Sequence, residues 1–313
     1  MRTIVICYSL LVLSTSAVAQ PPAAPFEPKP GQPGKDVVWV PSPPDMVNKL
    51  MELGQVTSKD FVIDLGSGDG RMVITAAKKH GARGFGVDLD RRLVTLSNRL
   101  AAKAGVGGRA VFYERDIYQT DLTPASVVTI YLLPEVNLMM RPKLFAMLKP
   151  GTRVVSHDYD MGEWPPDLSF SMDAPGKTVG RDQTSKVFYW VVPARASGKW
   201  MWESAAEGGS PRSFELALNQ SFQKVEGTLT AGGKVVPIED AKLTGDRLTF
   251  VAKLDGAARY EFDGRIVNNA LDGTVRAVRG GAPPREQPWS AARTEVWEPR
   301  HFTLPPPTLI PPQ

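Results

Sequence analysis

The sequence predicts an α/β fold, a doubly wound and mostly parallel sheet, followed by a small all-β meander or barrel. Three observations carry this. From about residue 39 to residue 192, short β-branched runs alternate with helical patterns, the texture of a parallel sheet wrapped by helices. A glycine-rich turn, Gly66-Ser67-Gly68-Asp69-Gly70, stands between the first of those runs and the first long helical pattern. From Gly198 to about Val296 the helices give way to short alternating segments separated by glycine-containing turns.

Taken in order, residues 61–65 read as a buried strand that runs into the glycine turn, and a helix follows from Arg71 to a stop at Gly81. A second strand spans 84–89. The next helix covers about 91–104, with Asp90 positioned to cap it and Gly105 to end it. Strands at 110–113, 126–133 and 152–157 follow, with a helix at 136–148 closed by Lys149-Pro150-Gly151. Residues 186–192 are expected to finish the sheet as an antiparallel edge strand. Beyond the boundary at 193–198, segments 214–218, 225–230, 247–254, 259–266 and 271–278 alternate as meander strands. Gly232-Gly233, Gly245-Asp246, Asp255-Gly256 and Asn268-Asn269 suit the tight turns between them. Closing such a meander removes its exposed edges, hence the expected barrel.

The chain ends differ in character. Met1-Arg2, an apolar run over residues 3–13 and Ala17-Val18-Ala19 have the build of a secretory signal peptide cut after Ala19, the run being too short to span a bilayer. The expected organisation is therefore a signal at 1–19, a proline-rich linker at 20–37, an α/β domain at 38–195, an all-β domain at 196–298 and a proline-rich tail at 299–313. No spanning segment would remain after signal removal. The sole cysteine, Cys7, lies in the signal, so the mature chain would suit an oxidising compartment without using disulfides. The 37 basic and 33 acidic residues are dispersed, with no basic block that would track a phosphate backbone, so no nucleic-acid partner is expected.

The chemistry concentrates at the carboxyl ends of the predicted strands, where doubly wound sheets bind ligands. Alternate glycines Gly66, Gly68 and Gly70 let the backbone pass directly beneath a ligand, with Ser67 between them. A dinucleotide fingerprint wants glycine or alanine three places after the second glycine; Arg71 stands there instead. Asp64 and Asp69 around the turn also favour a cation over a pyrophosphate. Asp88, 22 positions beyond Gly66 and followed by Leu89, can accept from both ribose hydroxyls. Asp116 and Ile117, after the third strand, can meet the edge and face of an adenine. Together these residues point to S-adenosylmethionine (SAM), whose sulfonium and amino group are cationic. His80, His157 and His301 are scattered without ligand spacing, so no metal is expected. His157 with Asp158 reads as a strand-end polar turn.

Residues 38–164 resemble the class I methyltransferases related to the ATP-synthase c-subunit lysine methyltransferases of mitochondria and their archaeal protein-lysine relatives. The resemblance rests on Trp39-Val40-Pro41-Ser42-Pro43, Asp64 to Arg71, Gly86-Val87-Asp88-Leu89, Asp116-Ile117-Tyr118, Tyr131-Leu132-Leu133-Pro134 and the run from Leu148 to Ser156. It implies a Rossmann-like sheet, makes Val40 and Ser42 candidate contacts to the cofactor's amino-acid end, and places Tyr131 beside the transferring methyl as the candidate catalytic residue. The chain departs from the family in its Asp88-Leu89-Asp90 run and in its appended β domain. The expected function is methyl transfer from SAM to a nitrogen nucleophile, a protein lysine among the candidates. An exported, non-catalytic adenosyl-binding protein and a small-molecule methyltransferase stand as alternatives. A cytosolic cofactor sits awkwardly with an exported enzyme.

Overall fold

A computed structural model of the protein describes residues 26–34, 38–178, 182–204, 212–255, 258–280 and 283–299. The signal at 1–19, part of the linker and nearly all of the tail lie outside the described residues.

The first sheet has seven strands: β1 (Phe61–Leu65), β2 (Arg83–Asp88), β3 (Ala110–Glu114), β4 (Val127–Ile130), β5 (Arg153–His157), β6 (Leu168–Asp173) and β7 (Thr184–Val191). Their spatial order is β3-β2-β1-β4-β5-β7-β6. The first five pair in parallel, while β7 runs antiparallel to both β5 and β6. The chain reverses direction across the sheet at β1 and β4, and there a crevice opens beyond the strand ends. The strand expected at 186–192 is antiparallel as anticipated, but it is not the edge. β6 lies outside it, a strand whose Leu168-Ser169-Phe170-Ser171-Met172-Asp173 run carries too little hydrophobicity to announce itself.

Side chains alternate between the two faces, as a strand requires. Ile63 and Leu65 pack with Val128 and Ile130 against α4 (Pro134–Met147), through Met140 and Leu144. Val62, Val127 and Val155 face the opposite layer, built from α1 (Pro44–Leu53) and α2 (Arg71–His80). The α1 helix was not read in the sequence. α2 buries Met72, Val73, Ala76 and Ala77 at helical spacing and ends at Gly81 in the left-handed region, φ 72°. The remaining helix, α3 (Arg91–Lys103), is capped by Asp90, whose carboxylate accepts from the Arg92 amide at 2.8 Å.

The proline-rich approach is not a simple extended tether. The Gly31 amide donates to the Trp39 carbonyl and the Trp39 amide to the Gln32 carbonyl, which brings these two ends of the segment together. Phe26 lies under the Arg92 guanidinium at 4.8 Å.

The second sheet contains β8 (Gly198–Ser204), β9 (Arg212–Ser221), β10 (Lys224–Ala231), β11 (Lys234–Pro237), β12 (Glu239–Thr244), β13 (Arg247–Asp255), β14 (Ala258–Val267), β15 (Ala270–Arg279) and β16 (Arg285–Val296). All its pairings are antiparallel, and β16 pairs back onto β8. The two ends of the sheet, β11 and β12, are joined by Ile238, so the whole is a nearly closed barrel. Its interior is filled with aromatic rings, including Trp202 on Phe214 at 5.1 Å and Phe250 on Phe262 at 4.5 Å.

The barrel is docked on the first sheet. Phe222, at the β9–β10 hairpin tip, joins the apolar core beside Phe145 and Trp164. Gln223 accepts from Trp164 Nε1 and donates to the Pro165 carbonyl.

Candidate active site

The turn after β1 places Gly66, Gly68 and Gly70 at φ 74°, 54° and 81°, the left-handed region that only glycine adopts without strain. A cavity of about 540 Å³ opens above the turn, within the usual range for a small-ligand site. Its wall contains eleven of the twelve residues expected there: Val40, Ser42, Asp64, Gly66, Ser67, Gly68, Asp88, Leu89, Asp116, Ile117 and Tyr131. Gly70 is outside the wall. A Cβ on Gly70 would meet Phe112 at 2.5 Å and Ser97 at 2.8 Å, so its bareness serves helix-to-strand packing.

Asp64 is buried. Thr129 Oγ1 donates to its Oδ1 at 2.5 Å, and no described donor reaches Oδ2. Burial, reinforced by the negative charges of Asp69 and Asp88, pushes its carboxyl up to about 7. Asp88 accepts from the Gly68 amide at Oδ2 (3.0 Å) and from the Asp90 amide at Oδ1 (2.8 Å), which fixes the carboxylate and leaves lone pairs for further donors. Burial raises its pKa too. Asp116 caps the short 3-10 turn Ile117–Gln119 by accepting from the Tyr118 amide at 2.8 Å.

The segment before α1 roofs the cavity. The Trp39 indole lies over Gly68 so closely that a Cβ there would fall 2.6 Å from its Nε1. Arg71 locks this roof to the floor, gripping Asp69 with Nε and Nη2 and donating Nη1 to the Ser42 carbonyl. Ser42 lines the cavity, yet its hydroxyl is bonded to His157 Nδ1 at 2.8 Å. His157 is fully buried, also meets the Ser185 hydroxyl at 2.9 Å, and is held by burial down to about 4, hence neutral. Sequence reasoning missed Trp39, Arg71 and His157 as site residues. Trp39 stands in a recognisable motif, whereas the Arg71 and His157 contacts join segments far apart in the chain.

An adenosyl sulfonium suits this wall. The glycine floor admits close approach, Asp64 retains an unsatisfied oxygen, and the buried Ser67 hydroxyl has no partner among the described residues. Among the described residues of the wall, Arg71 alone is basic and it is already paired, so their residual charge is negative. Asp64, Asp88 and Asp116 would hold the amino, ribose and adenine ends of SAM. Among the described residues no group of His, Cys, Asp and Glu could hold a metal ion.

Sheet polarity and crevice charge narrow the class: a Rossmann-like domain shaped for an adenosyl cation is that of a SAM-dependent methyltransferase. Comparison with known proteins identifies it further. Residues 64–168 match the ANTKMT methyltransferase domain. A protein-lysine N-methyltransferase of Saccharolobus islandicus (strain REY15A) is 41% identical over 131 residues, 42% of this chain and 81% of the relative. The ATP-synthase c-subunit lysine N-methyltransferase of Homo sapiens is 38% identical over 106 residues, 34% of this chain and 45% of that protein, so the chain spans less than half of it. An RNA methyltransferase from Salinibacter ruber, solved with S-adenosyl-L-homocysteine, aligns at 45% identity over 49% of this chain and 93% of its own, with a TM-score of 0.44. The chain belongs to this methyltransferase family.

Proposed function

We propose that the protein methylates the ε-amino group of lysine in a protein acceptor, using SAM. The observation that carries this is the composition of the cavity wall, which besides its carboxylates includes Tyr118, Tyr131, Val136 and Met139, and also Glu135. Bound SAM supplies an already activated methyl, so the protein's task is alignment and exclusion of water. A lysine arrives as an ammonium, and freeing its lone pair at neutral pH costs roughly 4 to 5 kcal/mol from a reference pKa near 10.4. An apolar wall lowers that cost by disfavouring the charged form. Glu135 supplies a carboxylate to attract the cation before it enters. The named activities of the archaeal and human relatives support the same acceptor.

The test is incubation of the full chain with methyl-labelled SAM and a lysine peptide library, with histidine peptides, arginine peptides and an RNA transcript as competing acceptors. Mass spectrometry should find methyl-lysine. Label confined to RNA or to non-lysine peptides would refute the proposal.

A further inference from the structure

The end of β5 holds a partly buried polar cluster that meets the cavity wall at Tyr131. Asp158, just beyond the strand, has φ 64°, a conformation that costs a non-glycine residue free energy and is retained where the surroundings enforce it. Its carboxylate gathers three donors. Tyr131 Oη reaches Oδ2 at 3.2 Å, Lys177 Nζ reaches Oδ2 at 2.9 Å, and the Lys186 amide reaches Oδ1 at 3.0 Å. The preceding residue, His157, supports the Tyr131 ring, with centroids 3.9 Å apart. Tyr131 lies in the cavity wall just past β4, so a residue of that wall is held by ring and by hydroxyl at once.

The direction of the hydroxyl bond has a chemical consequence. A tyrosine hydroxyl carries one proton and two lone pairs. An amine attacks the methyl with its own single lone pair and offers N–H groups for orientation. A tyrosine that donated to the amine would occupy the lone pair needed for attack, whereas one that accepts from it would orient the amine and leave that lone pair free. We propose that Asp158 is a positioning residue that takes the Tyr131 proton in a hydrogen bond and so commits the hydroxyl to accepting from the acceptor amine, with Lys177 pairing the carboxylate. An ionised carboxylate accepts and never donates, which makes the direction unambiguous. The proposal rests on the reading of Tyr131 as the residue beside the acceptor.

A double-mutant cycle on the full chain tests it, with the best lysine peptide from the library as acceptor. Tyr131→Phe and Asp158→Asn should each lower kcat about tenfold, the equivalent of one hydrogen bond, with the Kd for SAM within about twofold. The double variant should be no slower than the slower single variant. Lys177→Met, outside the cavity wall, should lower kcat in the same direction by about threefold and carries the test if Asp158→Asn folds poorly. The ¹³Cζ resonance of Tyr131 should also shift in Asp158→Asn without any acceptor present. Multiplying effects in the cycle, or an unmoved resonance with unchanged kcat, would overturn the role of Asp158 alone. A silent Tyr131→Phe would overturn the reading beneath it.

Discussion

Replacing Asp64 by Asn should make the ligand-free protein more stable and the ligand-binding protein worse. Asp64 is buried, and burial moves its carboxyl from the ordinary 3.8 to about 7. The folded chain therefore binds this proton more tightly than the unfolded chain does. Below pH 4 both states hold the proton and Asp64 adds no pH dependence; as pH rises towards 7 the stability associated with the protonated form is lost, and above 7 the penalty is complete. The interval, at about 1.4 kcal/mol per pH unit, gives up to about 4 kcal/mol. Asn copies the shape of the neutral acid and can still accept from Thr129 Oγ1, so the variant escapes the penalty. Urea unfolding of both proteins at pH 5 and pH 8 measures this. The variant should gain several kcal/mol on its parent at pH 8 and markedly less at pH 5, while SAM affinity drops about 10- to 100-fold through loss of a charged hydrogen-bond acceptor. A stability difference that is absent at pH 8, or the same at both pH values, would refute the reasoning. Using the difference matters because His157, held neutral down to about 4, acts in the opposite sense.

Other consequences follow from the same geometry. In Asp64→Asn the effect of His157 loses its main opponent: stability should fall as pH drops from 6.5 to 4, by up to about 3 kcal/mol less the opposing gain from the raised Asp88 and Asp167, read from urea midpoints. Gly68→Ala should weaken SAM binding at least about tenfold by calorimetry, because its Cβ would collide with the Trp39 indole roofing the cavity. Gly70→Ala should instead lower the melting temperature, at a cost of about 1 to 3 kcal/mol, since its Cβ would strike Phe112 and Ser97 in the packed interior. Phe222→Ala should cost about 3 kcal/mol and lower the melting of the whole chain by tryptophan fluorescence, because its ring completes the core around Trp164 and Phe145.

The parts legible in sequence were those governed by local rules. β1, the glycine turn and α2 follow from a hydrophobic run, residues permissive of positive φ and a helix stop at Gly81 within about twenty positions. Asp90 announces itself as a cap by standing immediately before a helical pattern. The insertion of β7 between β5 and β6 depends on pairing partners far along the chain, and β6, half serine and acid, gives no strong periodicity. β16 contains Pro288, a residue that argues locally against a strand, yet the sheet accommodates it opposite Thr274. In the site, residues that touch the cavity through their own motif are readable, whereas those acting through distant partners are not. His157 meets Ser42, and Asp158 meets Tyr131, only after the sheet has assembled. Gly70 shares the spacing of its neighbours but not their task, a distinction set by Phe112 on another strand.

Titration of the full chain with SAM and with its demethylated product, by calorimetry, addresses the central claim directly. Both should bind at a single site, and Asp64→Asn should weaken both while remaining folded. No heat from either ligand, or equal affinity in the variant, would contradict an acidic, glycine-floored crevice as the seat of the chemistry.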